Sequence, residues 1–331
     1  MKPFKVGIDV YGLKPLGLSP FRLLEWAAAN GAEGVQFSEA PAEAADPGFL
    51  RELGREAARR ELYLEWGGGQ HIPADLATGA PKDITETNRL AADQAVLAGA
   101  ATVRSCSGGL MRWNKTGPTT EAFLREMARF LAAQKSVFLD RGVTLAIETH
   151  FEFTTFELLR VLDMSGAEPG GGLGICLDTM NLLTMLEEPV AAVRRIRPFI
   201  ATTHVKDGGI LLTDEGFVTF TAEAGRGVID FRSIFEELSA LPIELRLSIE
   251  DHGGDFRIPV FDPKFLSEFP DFTAPELCDL LRLSRLTREK MKSGGLAVLD
   301  RKDWPSVGEE RIKRDLRFVR ALVGEGRAGE R

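Results

Sequence analysis

The fold is decided by four short apolar runs in the second half of the chain: VTLAIE (143–148), LGICLD (173–178), IATTHV (200–205) and LRLSIE (245–250). Short runs of this kind, bounded by polar residues and glycine, are typical of buried strands. Four similar runs precede them: FKVGIDV (4–10), EGVQFS (33–38), ELYLEW (61–66) and ATVRSC (101–106). Amphipathic, helix-like stretches separate the runs, for example FRLLEWAAAN (21–30), EAFLREMARFLAAQKSVFLD (121–140) and DFRSIFEELSAL (230–241).

A chain with eight strands, each followed by a helix, has the number and order of elements of a (β/α)8 TIM barrel, which is an α/β fold. A doubly wound open sheet has the same alternation, but it usually carries GxGxxG after an early strand, and the first strand here is not followed by that motif. Helix-like segments near 274–293 and 308–324 follow the last run. We therefore predict a single domain over residues 1–331, with a barrel over about 4–293 and a C-terminal helical extension over about 294–331.

Composition narrows the class of protein. A net charge of −8 over 331 residues argues against a broad nucleic-acid surface. No apolar run approaches the roughly 18 residues of a membrane span, and the N-terminus reads as a strand and not as a signal peptide. The three cysteines are odd in number and far apart, which fits a reducing compartment. We expect a soluble, cytoplasmic protein that binds neither nucleic acid nor membrane.

Each of the four quoted runs carries a hard metal ligand at its end: Glu148, Asp178, His204 and Glu250. In a barrel the carboxyl ends of the strands converge on one mouth, so these side chains should meet there. Three carboxylates and one imidazole suit Mn²⁺, Co²⁺ or Mg²⁺, and Zn²⁺ also accepts such a set. One polar strand end is weak evidence, but four consecutive ones predict a site for one divalent metal.

With these residues the chain resembles the xylose isomerase-like TIM barrels, which include ketose 3-epimerases, hydroxypyruvate isomerases and inosose dehydratases. The resemblance covers about residues 4–250 and rests on IETH, LDTMN, HVKD, GRGVIDF and SIED. It implies that Glu148, Asp178, His204 and Glu250 bind one divalent metal, with Mn²⁺ as the first choice. It also implies that Glu148 and Glu250 move the proton. The implied activity is a sugar or keto-polyol isomerase or epimerase that abstracts a proton alpha to a metal-bound carbonyl.

Two departures from the epimerase pattern keep a lyase as the alternative. Asn181 stands where ketose epimerases usually place a histidine, and VKDGGILL (205–212) lacks the arginine expected after the metal histidine. His150, Lys206 and Arg104 instead look similar to bacterial 3-dehydroshikimate dehydratases of the same superfamily. Elimination from an oxidised sugar or a C-glycoside is a related reaction, because subunits of C-glycoside-cleaving enzymes share this barrel.

Further residues near the strand ends are candidates for catalysis or substrate binding. Because side chains alternate faces along a strand, His150 should share the face of Glu148, and Lys206 that of His204. His150 could act as a general acid or base, or be a rim histidine bonded to the backbone. Lys206 could bind a substrate oxygen or pair with Asp207.

The remaining candidates also have two interpretations each. Arg104 could bind a substrate anion or form a structural ion pair. Asn181 could bond a substrate hydroxyl or cap a helix. His71 follows three glycines and could close over the site, and Trp66 could form one wall of a sugar pocket or pack in the core.

Two other classes of protein compete with a sugar enzyme. An abasic-site endonuclease uses the same barrel but needs more histidine ligands than the four histidines of this chain supply. A catalytically inactive binding or regulatory barrel is disfavoured by the intact ligand set. We therefore expect a small carbohydrate or keto-acid substrate, and the sequence leaves open whether the chain forms a homo-oligomer or acts as an accessory subunit.

Overall fold

The computed structural model describes residues 4–114 and 116–328, and a closed barrel of eight parallel strands lies at its centre. The barrel strands are β1 (Lys5–Asp9), β2 (Gly34–Gln36), β3 (Tyr63–Gly69), β4 (Thr102–Ser105), β5 (Thr144–Glu148), β6 (Leu173–Asp178), β7 (Ile200–Val205) and β10 (Arg246–Ile249). Neighbours along the chain pair in parallel, and β1 closes the barrel by pairing with both β2 and β10. The predicted (β/α)8 barrel is confirmed.

Helices surround the barrel: α1 (Pro20–Ala29), α2 (Pro47–Arg59), α3 (Thr85–Ala98), α4 (Thr120–Leu139), α5 (Thr155–Met164), α6 (Asn181–Thr184), α7 (Pro189–Ile196), α8 (Phe231–Ser239), α9 (Pro263–Leu266), α10 (Ala274–Lys292) and α11 (Trp304–Ala328). Alternation along each strand separates two environments. In β5, Leu145 and Ile147 belong to the apolar core, whereas Ala146 and Glu148 share the opposite face. Within residues 4–114 and 116–328, no helix is both long and apolar enough to cross a membrane.

An antiparallel hairpin that we did not predict follows β7 at the carboxyl end of the barrel. Its strands are β8 (Asp207–Thr213) and β9 (Gly216–Ala222), and β11 (Asp255–Ile258) pairs with β9. A sequence signal was present, because a short polar turn ending in Gly216 separates two β-prone runs. The hairpin adds a wall above the strand ends.

The two long C-terminal helices pack in different places. The backbone N–H groups of Ile210 and Leu212 in β8 donate to Thr287 Oγ1 and Ser284 Oγ of α10, so this helix covers the hairpin. Helix α11 contacts β1 and β10, and the indole of Trp304 donates to the carbonyl of Gly12 at 2.8 Å. We predicted that the barrel ends near residue 293. Because α11 packs on the barrel strands, we propose that it belongs to the barrel unit. Sequence periodicity did not distinguish the two helices, because both are amphipathic.

An ion pair fixes α11 to the segment after β10. Arg311 Nε lies 2.5 Å from Asp251 Oδ2, and both side chains are buried. The carboxylate of Asp315 is buried nearby and accepts from the backbone N–H of Ala224 at 2.8 Å. Burial and the neighbouring Asp251 raise the pKa of Asp315 well above its usual value.

We expect Arg311→Met to lower the free energy of unfolding by about 3–5 kcal/mol, because it leaves buried carboxylates without their cation. Urea denaturation of the full chain measures the change. The matched control is Arg314→Met in the same helix, where a more exposed pair with Glu223 should be worth only about 0–1 kcal/mol. Equal losses in the two variants would contradict this role of Arg311.

Candidate metal centre

The four predicted metal ligands meet at the carboxyl end of the barrel. One ligand atom from each of Glu148, Asp178, His204 and Glu250 lies within 4.8 Å of the others, and all four residues are buried. His204 Nδ1 lies 3.2 Å from Glu148 Oε1, 3.3 Å from Glu250 Oε2 and 4.0 Å from Asp178 Oδ2. The imidazole therefore faces three carboxylates.

Strand register and a helix start together orient these side chains. Asp178 at the end of β6 pairs in register with His204 of β7, so the two point to the same side. Asp178 Oδ1 accepts from the backbone N–H groups of Met180 and Asn181, both at 2.9 Å. These bonds hold the carboxylate at the start of α6 and leave Oδ2 directed at the cluster. Cys176, two residues earlier in β6, is buried, and its thiol forms a hydrogen bond with His204.

The oxygens that face the cluster are poorly satisfied by protein groups. In the described part of the chain, Asp178 Oδ2 and Glu250 Oε2 are buried and have no hydrogen bond of good geometry. The ammonium of Lys206 lies 2.8 Å and 2.5 Å from them, so it supplies charge without well-directed bonds. Burial raises the pKa of Asp178 to about 6. Buried carboxylate oxygens gathered around one imidazole fit a divalent cation.

Two residues outside the predicted set complete the surroundings of His204. Its Nε2 contacts Gln36 Oε1, at the end of β2, and lies 3.7 Å from Asp9 Oδ2, at the end of β1. The Gln36 amide donates in turn to Glu65 Oε2 at 2.5 Å. Because Gln36 Oε1 can only accept, this contact requires an N–H at Nε2, and loss of the proton from Nδ1 would leave that nitrogen available to a metal. Both residues end barrel strands, which is the signal by which they could have been found.

Lys206 and Arg104 are both engaged with the cluster. The Lys206–Asp207 pair that we considered is not formed: Asp207 instead accepts from the backbone N–H groups of Gly208, Gly225, Gly227 and Ile229, and so organises the loop before α8. Arg104 forms an ion pair with Glu148, with Nε 2.9 Å from Glu148 Oε2 and Nη2 on the same oxygen. Burial would raise the pKa of Glu148, but Arg104 and His204 hold it well below its usual value.

A cavity of about 550 Å³ opens above the cluster, a size that suits a small organic ligand. Glu250, Lys206, Arg104 and His150 line it, so four predicted residues face one space. Its other lining residues include Tyr11, Glu39, Gln70, Phe151, His252 and Arg301.

His150 and Asn181 lie next to the cluster. His150 Nδ1 is 3.1 Å from Glu152 Oε2. Burial would lower the pKa of His150, but Glu152 and Cys106 raise it well above its usual value. Asn181 does not cap α6, since Asp178 performs that role, and its buried Nδ2 has no hydrogen-bond partner among the described residues. Asn181 and Lys206 line an adjoining cavity of about 290 Å³.

His71 and Trp66, two candidates for substrate binding, are both buried and are not among the residues that line the 550 Å³ cavity. His71 is fully buried, its Nδ1 lies 2.7 Å from Ser105 Oγ, and burial lowers its pKa to about 4. The Trp66 indole donates to Gln94 Oε1 of α3 at 3.2 Å. The reason is strand parity: Glu65 points into the barrel, where it accepts from Thr202 Oγ1 at 2.8 Å, so Trp66 points outward to the helices.

The closed barrel and the buried acidic–histidine cluster at its carboxyl end define a (β/α)8 protein with a site able to bind a metal. Residues 24–268 match the sequence profile described as Xylose isomerase-like TIM barrel. The chain belongs to that family.

Two curated proteins are similar in sequence. The 3-oxo-isoapionate decarboxylase of Pectobacterium atrosepticum is 27% identical over 232 residues, which is 68% of this chain and 74% of that protein. Uncharacterized protein YihM of Escherichia coli is 25% identical over 158 residues, and this match spans about half of each chain, 46% and 47%.

Solved structures show the same fold at lower identity. D-psicose 3-epimerase of Clostridium cellulolyticum H10, solved with D-tagatose, gives a TM-score of 0.59 at 16% identity over 86% of this chain and 99% of its own. The probable 3-DHS dehydratase AsbF of Bacillus anthracis gives 0.56 at 15% identity over 74% and 92%. This chain thus shares its fold with an epimerase and with a protein described as a probable dehydratase.

Proposed function

We propose that the chain is a divalent-metal-dependent isomerase or epimerase that removes a proton alpha to the carbonyl of a sugar or keto-polyol. The observation that carries the proposal is the buried cluster of Glu148, Asp178, His204 and Glu250 beneath a cavity of ligand size. The ligand set favours Mn²⁺, Co²⁺ or Mg²⁺. When bound, the metal would act as a Lewis acid that polarises the substrate carbonyl and lowers the pKa of the adjacent C–H.

Two glutamates are placed to exchange the proton. Glu148 ends β5 and Glu250 follows β10, and β6 and β7 lie between these strands. The two carboxylates therefore reach the cluster from its opposite sides, which supports access to opposite faces of a substrate. Return of the proton to the other face gives epimerisation, and return to the neighbouring carbon gives isomerisation. The buried Lys206 ammonium would stabilise the enediolate between the two steps.

A lyase is the second candidate, and His150 is the observation that favours it. Its imidazole lines the cavity, and Glu152 at 3.1 Å supports the protonated form. Such a group can donate a proton to a departing hydroxyl. Lys206 and Arg301 line the same cavity and would favour an anionic substrate. The similarity to a decarboxylase supports this candidate too, because loss of CO₂ from a 3-oxo acid also leaves an enolate.

Proton NMR of keto-sugars and oxo acids in D₂O, with Mn²⁺ added, tests proton abstraction, which is the first step of isomerisation, epimerisation and elimination. We expect the C–H alpha to the carbonyl of one substrate to exchange for deuterium, and the exchange to stop when the metal is chelated. Absence of exchange across the panel in the metal-loaded protein would contradict isomerisation, epimerisation and elimination. Decarboxylation would then be recognised by release of CO₂, and absence of both signals would favour a binding or regulatory barrel.

His150→Ala separates the two candidates. If the enzyme is an isomerase or epimerase, exchange and sugar interconversion should persist at near wild-type rates. If it is a lyase, the rate of product formation should fall about 10²–10⁴-fold, which is the usual contribution of a general acid, while exchange of the substrate C–H persists. Ultraviolet absorbance of the unsaturated product measures elimination. His252→Ala is the matched control, since His252 lines the same cavity but its Nδ1 contacts the carbonyl of Gly253 and not a carboxylate.

A further inference from the structure

A second group of metal-binding side chains lies beside the proposed metal centre. Cys106 follows β4, and His150 and Glu152 lie in the segment between β5 and α5. One ligand atom from each of the three lies within 4.8 Å of the other two. The two clusters are made of different residues. The sequence did not reveal this group, because Cys106 is 44 positions from His150 and joins it only through the pairing of β4 with β5.

The carboxylate and the imidazole of this group are already held in place. Glu152 is buried, and its Oε1 accepts from the backbone N–H of Gly109 at 2.8 Å, which leaves Oε2 facing His150. The Phe151 ring packs on the imidazole with ring centroids 4.1 Å apart. Cys106 is partly exposed and lines the 550 Å³ cavity, so an ion can reach its sulfur from solvent.

The chemistry of this group differs from that of the first cluster. A thiolate, an imidazole and a carboxylate form a set that Zn²⁺ accepts readily, whereas Mn²⁺ and Mg²⁺ prefer oxygen ligands. Three protein ligands beside a cavity leave a fourth position for water, as in open zinc sites. We propose that Cys106, His150 and Glu152 form a second metal site, selective for Zn²⁺ and similar thiolate-binding ions. Binding releases to solvent the proton of the Cys106 thiol and the proton that Glu152 supports on His150, and it forms the sulfur–metal and nitrogen–metal bonds.

Occupancy of this site would withdraw His150 from the cavity. This consequence rests on the proposed function: if His150 is the acid of a lyase, Zn²⁺ should inhibit turnover of the Mn²⁺-loaded enzyme, and Cys106→Ser should remove that inhibition. The metal-binding proposal itself is tested without activity.

Co²⁺ is the probe, because a cobalt–thiolate bond gives an intense near-ultraviolet band that oxygen and nitrogen ligands do not give. We expect titration of the full chain, preloaded with Mn²⁺, to produce this band, and Zn²⁺ to abolish it. Cys106→Ser should lose the band and retain about one Zn²⁺ fewer per chain, by the stoichiometry of one site. Cys176→Ser and Cys278→Ser are matched controls that should keep it, since one thiol is buried beside the first cluster and the other is exposed on α10.

A band that is absent from the wild type, or that survives in Cys106→Ser, would overturn the second site. His204→Ala distinguishes this failure from failure of the proposed function, because it disrupts the first cluster and should leave the cobalt–thiolate band unchanged. Loss of the band in Cys176→Ser instead would assign the thiolate to the first cluster and also reject the proposal.

Discussion

His204→Ala is expected to abolish retention of Mn²⁺ by the dialysed protein, whereas the wild type should keep about one ion per chain, by the stoichiometry of a single ligand cluster. The reason is geometric: His204 Nδ1 is the one nitrogen ligand of the cluster and lies within 4.0 Å of all three carboxylates. We expect the affinity for Mn²⁺ to fall at least about 100-fold. Loss of a residue that only hydrogen-bonds a metal ligand already costs up to about 100-fold, and His204 is itself a proposed ligand. Elemental analysis after dialysis measures the retained ion.

The control for this experiment is His252→Ala, which removes the other half-buried histidine of the cavity and should leave Mn²⁺ retention unchanged. Thermal unfolding provides a second readout, because a bound ion at 100 times its Kd stabilises the folded state by about 2.7 kcal/mol. That increment should be present in the wild type and absent from His204→Ala. A wild-type protein that retains no ion after loading with Mn²⁺, Co²⁺, Mg²⁺ or Zn²⁺ would refute the metal centre.

Glu148→Gln and Glu250→Gln should each slow exchange of the substrate C–H with solvent deuterium by about 10²–10⁴-fold in the presence of excess Mn²⁺. Glutamine keeps the shape of the side chain but cannot accept the proton. Both carboxylates are buried at the cluster, so bulk water cannot replace either of them as the base. Proton NMR in D₂O gives the rate, and the metal content of each variant shows whether the loss is one of chemistry or of binding.

Glu39→Gln is the matched control for these variants, because Glu39 lines the same cavity outside the four-ligand cluster. It should exchange at the wild-type rate. If one of the two cluster variants keeps near-normal exchange while it binds metal, that glutamate is a ligand alone, and a single base serves the reaction.

The barrel and its ligand cluster could be predicted because both depend on local patterns. An apolar run of about six residues predicts its own strand, and the polar residue at its carboxyl end points to the barrel mouth once the strand is in place. Glu148, Asp178 and Glu250 needed no further information. Gln36 was harder, since it contacts a histidine 168 positions away and only barrel closure brings the two together.

Two alternatives that the sequence left open depend on partners elsewhere in the chain. Trp66 could form one wall of a sugar pocket or pack in the core, and the polar interior of this barrel takes Glu65 inward and turns Trp66 toward α3. Lys206 could pair with its neighbour Asp207 in sequence, yet four backbone N–H groups of a distant loop occupy that carboxylate. In both cases the partner that decides the outcome is remote in sequence.

The ion pair between Arg311 and Asp251 has a consequence for the order in which the molecule is assembled. Asp251 directly follows Glu250, so α11 fixes the chain next to the fourth ligand of the cluster. A ribosome synthesises Glu148, Asp178 and His204 long before Arg311. A nascent chain whose α11 has not yet left the ribosome therefore contains all four residues of the cluster. It lacks the Arg311–Asp251 ion pair that holds the segment next to Glu250. The final arrangement of the cluster is in this way tied to the synthesis of α11.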